Sequence, residues 1–82
     1  MQVKTLSPKL NKYLVRHNLT RKFRKQLDLF LENPTHPSLN TEKLKPKETG
    51  LYSFRIDRKY RVIFHILLSG EAQIIDINDH YK

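Results

Sequence analysis

The sequence predicts a two-layer α+β domain, two N-terminal helices packed on an antiparallel sheet of three to four strands. Two patterns lead there: apolar residues recur at helical spacing as far as Leu31, and from Leu51 the period changes to two. A third observation limits the domain count. Over 82 residues there is no repeat, low-complexity tract or linker, so residues 1–82 form one domain.

Residues 2–6 alternate and are a candidate edge strand. Ser7-Pro8 is an N-cap and first-turn pair, and Leu10, Tyr13, Leu14 and His17 then follow at i, i+3, i+4 and i+7, predicting a helix over 8–17. Asn18 breaks that pattern. Thr20 is placed to cap a second helix whose buried face is Phe23, Leu27, Phe30 and Leu31. Pro34 and Pro37 end it by biasing their neighbours toward extended and turn conformations. Residues 39–50 are polar and lysine-rich and read as a loop closing on the turn signal Thr49-Gly50.

Beyond that turn, Tyr52, Phe54 and Ile56 face one way and Ser53, Arg55 and Asp57 the other, the alternation of a half-buried strand. Asp57-Arg58-Lys59 connects to a second run in which Tyr60, Val62, Phe64 and Ile66 alternate with Arg61, Ile63, His65 and Leu67. Ser69-Gly70-Glu71 is a hairpin turn, and residues 72–77 are a third strand rich in β-branched residues. With both helices on one face of this sheet, the other face is left for a ligand.

Composition narrows the function. The chain has no cysteine, which excludes a disulfide framework, thiolate metal sites and a cysteine nucleophile. Its first ten residues lack the apolar core of a signal peptide, and no stretch approaches the ~20 apolar residues of a membrane span, so a cytoplasmic protein with no membrane partner is expected. Sixteen Lys and Arg against eight Asp and Glu give a net charge of +8, pointing to a polyanionic partner. Residues 1–47 hold eleven of the basic and three of the acidic side chains, whereas residues 48–82 hold five of each. Arg21, Lys22, Arg24 and Lys25 crowd the start of the second helix, where the helix dipole disfavours cations. They are candidate RNA contacts, with a solubilising surface as the alternative.

Arg55 and Arg61 lie opposite the apolar stripe of their own strands and are joined by a short connection, so both guanidinium forks can reach one phosphate. Cross-strand pairing with Asp57, Asp76 or Asp79 is the structural alternative. His80 and Tyr81 follow directly on the third strand, which places them near the sheet's polar face.

Taken together, Glu42-Lys43-Leu44-Lys45, Gly50-Leu51-Tyr52-Ser53-Phe54-Arg55-Ile56, Tyr60-Arg61-Val62-Ile63-Phe64 and the terminal His80-Tyr81 resemble the RelE/ParE toxins, most of all their YoeB-type branch. The resemblance covers nearly the whole chain. It implies a RelE-like microbial RNase fold and a metal-independent endoribonuclease that cleaves messenger RNA at the ribosome and so inhibits translation. Such a reaction proceeds by attack of a ribose 2′-hydroxyl on the adjacent phosphate. By resemblance Glu42 is the base, Arg55 and Arg61 stabilise the phosphorane, His80 is the acid, Tyr81 orients or stacks on a base, and Lys45 assists at the phosphate. Glu48 is the alternative base.

No cofactor is implied, and His17, His36, His65 and His80 show no metal-ligand spacing. The implied partners are a cognate antitoxin with an acidic segment, messenger RNA and the ribosome. Two other functions stay open. One is a ParE-like gyrase-inhibiting toxin, against which Glu42 and His80 argue; the other is a non-catalytic RNA- or partner-binding module on the same fold.

Overall fold

Helix α1 (Pro8–Arg16) begins at the expected cap: the Ser7 hydroxyl accepts from the Leu10 amide at 3.3 Å, and Pro8 fills a position whose N–H needs no partner. It stops one residue earlier than the pattern suggests. His17 is the C-cap and is solvent-exposed, and Asn18 takes a left-handed conformation at φ 55°. The Leu19 amide then reaches back to the Leu14 carbonyl at 2.8 Å and the Asn18 amide to Val15 at 3.1 Å. This pair of bonds turns the chain sharply while both leucines stay buried. The structure, a computed structural model, describes residues 1–80.

Helix α2 (Thr20–Glu32) departs from expectation at its start. Thr20 is the first helical residue rather than the cap; Leu19 holds the cap position and, among the described residues, no side chain caps it. Burying Leu19, 2% exposed, outweighs the roughly 1 kcal/mol that a hydroxyl cap contributes. The buried face is Phe23, Gln26 and Phe30, with Leu27 half-buried. Leu31, expected inside, is 38% exposed because it stands about 100° round the helix from Phe30.

The segment after α2 is more ordered than a loop. A 3₁₀ turn at Pro37–Leu39 buries Leu39 completely, Asn40 adopts φ 47°, and Glu42–Lys43 forms a short strand, β1. A second 3₁₀ turn, Lys47–Thr49, ends at Gly50 with φ 68°. Strands β2 (Tyr52–Arg55), β3 (Arg61–Ile66) and β4 (Ala72–Asn78) complete an antiparallel sheet of order β1-β2-β3-β4. The fourth strand is therefore Glu42–Lys43 and not the N-terminal run. That run makes an isolated parallel bridge, Val3 to Ala72, at the start of β4.

Both helices cover one face of the sheet. Phe30 stacks on Phe54 at 4.7 Å between ring centres and meets Phe64 edge-on at 4.9 Å, with Leu10, Leu14, Val62 and Ile77 in the same core. Among the described residues no helix is long and apolar enough to cross a membrane.

Candidate active site

The strand registers fix which side chains share the face turned away from the helices. Glu42 lies opposite Ser53, Ser53 opposite Ile63 and Ile63 opposite Asp76; one step along, Arg55 lies opposite Arg61 and Arg61 opposite Asn78. Directly opposed residues in an antiparallel pair project to the same side. Three residues selected from sequence, Glu42, Arg55 and Arg61, therefore stand on one face within two adjacent rows.

Arg61 is the fixed member. It is 6% exposed, its Nε donates to the Ser53 hydroxyl at 2.9 Å, and one terminal nitrogen donates to the Asn40 carbonyl at 2.7 Å. Ser53 is itself fully buried. The left-handed turn at Asn40 aims that carbonyl at Arg61, and Gln26 steadies both sides of the cradle by donating to Ser38 O at 3.2 Å and Arg55 O at 2.8 Å. Two hydrogen bonds of this kind hold the planar guanidinium in a fixed direction. Arg55 is solvent-exposed beside it, so the pair combines a clamped cation with an exposed one.

Glu42 sits on a strand, not on a loose loop, because β1 pairs with β2. It is half-buried and borders a shallow depression together with Lys43, Leu44 and Lys45, which brings Lys45 to the same edge. Glu48 falls instead on the 3₁₀ turn Lys47–Thr49, outside the sheet, and is exposed.

A bulge re-aims the end of β4. Ile63 faces Asp76 while Phe64 faces Ile74, leaving Ile75 as an extra residue, 44% exposed. Without it, strict alternation would put Ile74, Asp76 and Asn78 all on the core side. With it, Ile74 and Ile77 both enter the core, and Asp76 and Asn78 turn to the Arg61 face. His80 follows, exposed, its amide donating to Asn78 Oδ1 at 3.1 Å. Tyr81 lies outside the described residues.

His80 also borders a groove of about 620 Å³ between α1 and the outer edge of β4. Lys9, Lys12 and Arg16 line its α1 side, Asp76 and Asn78 its β4 side, and Tyr13 contributes its ring. Tyr13 contacts His17 at 4.1 Å and Tyr60 edge-on at 6.2 Å, and the Tyr60 hydroxyl lies 3.3 Å from His17 Nδ1. Partial burial, reinforced by Tyr60, Asp79 and Asp76, raises the Tyr13 hydroxyl above its ordinary value and keeps it neutral.

The basic start of α2 belongs to the helical layer, on the opposite side of the sheet from Glu42 and Arg61. Arg21, Arg24 and Lys25 are exposed there, whereas Lys22 is drawn into an ion pair with Asp57 of the β2–β3 turn at 3.1 Å. Sequence reasoning passed over Ser53, Asn40 and the α1 cations. Lys9, Lys12 and Arg16 had a readable signal, since they recur at i, i+3 and i+7 beside the apolar stripe. Asn40 acts through its backbone and had none.

No protein-family model matches the chain, and none of the curated protein sequences does. Solved structures do. A YoeB/ParE toxin from Agrobacterium tumefaciens superposes with a TM-score of 0.71 at 24% identity, over 99% of this chain and 100% of that one. The YoeB–YefM complex from Staphylococcus aureus gives 0.71 at 26% identity over 99% and 100%. A YoeB dimer from Staphylococcus aureus gives 0.65 at 23% identity over 98% and 94%. The match spans both helices and the whole sheet.

Proposed function

We propose that the chain is a YoeB-like toxin of the RelE/ParE superfamily, the toxin of a toxin–antitoxin pair that acts as an endoribonuclease on messenger RNA at the ribosome, a reading supported by its likeness to solved YoeB structures. The observation that carries this is the grip on Arg61. A buried guanidinium held by Ser53 and Asn40, with Arg55 opposite and Glu42 in the adjacent row, is a preorganised phosphate site with a carboxylate beside it.

In the proposed reaction the Glu42 carboxylate removes the proton from a ribose 2′-hydroxyl, whose oxygen attacks the neighbouring phosphorus. Arg61 and Arg55 neutralise the charge that gathers on the phosphorane oxygens, and Lys45 adds to that field from the β1 edge. The bond to the 5′-oxygen breaks as His80 supplies its proton. The products are a 2′,3′-cyclic phosphate and a free 5′-hydroxyl. Tyr81 is assigned to holding a base. Restraint by a partner is proposed from the YoeB–YefM complexes, in which a YoeB toxin is bound by YefM.

The test is the chemistry of the cut ends in a reconstituted translation mixture. Cyclic phosphate and 5′-hydroxyl ends are expected, with Glu42→Gln slower by ~10²-fold or more and Glu48→Gln unchanged. Cleavage that persists with a 2′-deoxy nucleotide at the cut, or that survives Glu42→Gln at full rate, overturns the mechanism.

A further inference from the structure

We infer that the groove between α1 and β4 is a track for single-stranded RNA, carrying the nucleotides that flank the cut. The inference rests on the RNA-directed reading above. Lys9, Lys12 and Arg16 stand one turn apart along a single side of α1, all solvent-exposed, and face the β4 edge across a groove of about 620 Å³. A helix repeats its side chains at a pitch of about 5.4 Å, which sets these three cations in a regular line. A line of cations at that spacing suits a phosphate backbone.

The remaining lining suits bases. The Tyr13 ring offers an apolar face of the kind on which single-stranded nucleic acids stack. Across from it, the Asp76 carboxylate and the Asn78 amide, bonded to one another at 2.7 Å, present acceptors and donors to base edges. His80 lines the same groove and links it to the cleavage face.

The β4 side also argues against an acidic peptide as occupant. Such a peptide would dock by adding a strand to the β4 edge, through backbone groups. Asp76 Oδ1 already accepts from the Ile77 amide at 2.9 Å, blocking one of the donors that an added strand needs. Its carboxylate would repel carboxylates from that side, while the bases of a nucleotide strand meet it with N–H donors.

The experiment measures binding without cleavage. A fluorescent twelve-nucleotide RNA, 2′-O-methylated throughout so that no attacking hydroxyl is present, is titrated with the purified chain at several salt concentrations. Three proteins are compared: the wild type, a Lys9→Gln/Lys12→Gln/Arg16→Gln variant, and a matched Arg21→Gln/Arg24→Gln/Lys25→Gln variant on α2. All six positions are exposed, so both variants should fold, which circular dichroism checks.

The α1 variant is expected to bind on the order of ten-fold or more weakly and to lower the slope of log affinity against log salt by about 2, as for three lost phosphate contacts. The α2 variant should lose much less. Equal losses in the two variants, or an unchanged α1 variant, overturn the assignment. So does a twelve-residue Asp/Glu peptide that binds more tightly than the RNA and depends on the α1 residues. Intact, α1-dependent binding in a protein that fails to cut messenger supports the groove and counts against the ribonuclease chemistry alone.

Discussion

Replacing Ser53 by alanine removes one oxygen from the centre of the polar face and leaves the rest of the sheet in place. That oxygen accepts from Arg61 Nε at 2.9 Å, and both residues are buried, Ser53 completely and Arg61 to 6% exposure. Alanine is too short and apolar to replace the bond, and little water can enter. Hydrogen bonds to charged groups contribute ~1.5–3 kcal/mol, so a loss of about 2 kcal/mol is expected, or about 8–16 °C in Tm for a domain of this size. Urea unfolding should show a lower midpoint at an unchanged slope.

Activity should fall as well, because Arg61 keeps the Asn40 carbonyl but loses the contact that fixes its direction. A displacement of about 1 Å at a reacting group costs up to ~10²-fold, so a drop of ~10- to 10²-fold in the rate of messenger cleavage is predicted, seen mainly in kcat. Ser53→Ala with stability within ~0.5 kcal/mol of wild type and an unchanged rate would refute the claim that Ser53 positions Arg61.

Arg55→Ala separates chemistry from stability: the side chain is exposed, so unfolding should shift by less than ~0.5 kcal/mol while cleavage slows by ~10²-fold. Phe30→Ala opens the core between Phe54 and Phe64 and should cost ~3–5 kcal/mol, against under ~1 kcal/mol for the half-exposed neighbour in Leu31→Ala, both read by urea unfolding. Asp57 gives a pH signature. Burial pushes its carboxyl up, but the amides of Tyr60 and Lys59 and the Lys22 ammonium outweigh this and hold it below the ordinary carboxylate value. Because the folded value is the lower one, its contribution is complete above pH ~4 and is lost as pH falls through the folded value. In Asp57→Asn the acid limb of the stability profile should be correspondingly flatter below pH ~4.

Long periodic segments were legible in the sequence, and their logic holds. The spacing of Leu10, Tyr13 and Leu14 foretold α1, and the alternation around Arg55 and Arg61 put both on the face the structure gives them. What was hidden has physical causes. A two-residue strand such as Glu42–Lys43 is too short to have a period, so its pairing with Ser53 and Tyr52 appears only in three dimensions. The choice of Leu19 over Thr20 at the start of α2 reflects core burial overriding local capping. Strict alternation could not show the extra residue Ile75 in β4, yet that residue decides which way Asp76 and Asn78 turn. The basic start of α2 stood out by composition but lies on the far side of the sheet from Arg61, and part of it, Lys22, is engaged by Asp57.

Whether this fold carries a working ribonuclease site is tested most directly by adding the purified chain to a translation mixture programmed with a defined messenger, with a gyrase supercoiling assay run alongside. Translation should stop, the messenger should be cut inside its reading frame, His80→Gln should slow the cut by ~10²-fold or more, and gyrase should be unaffected. An intact messenger together with inhibited supercoiling would contradict a working ribonuclease site.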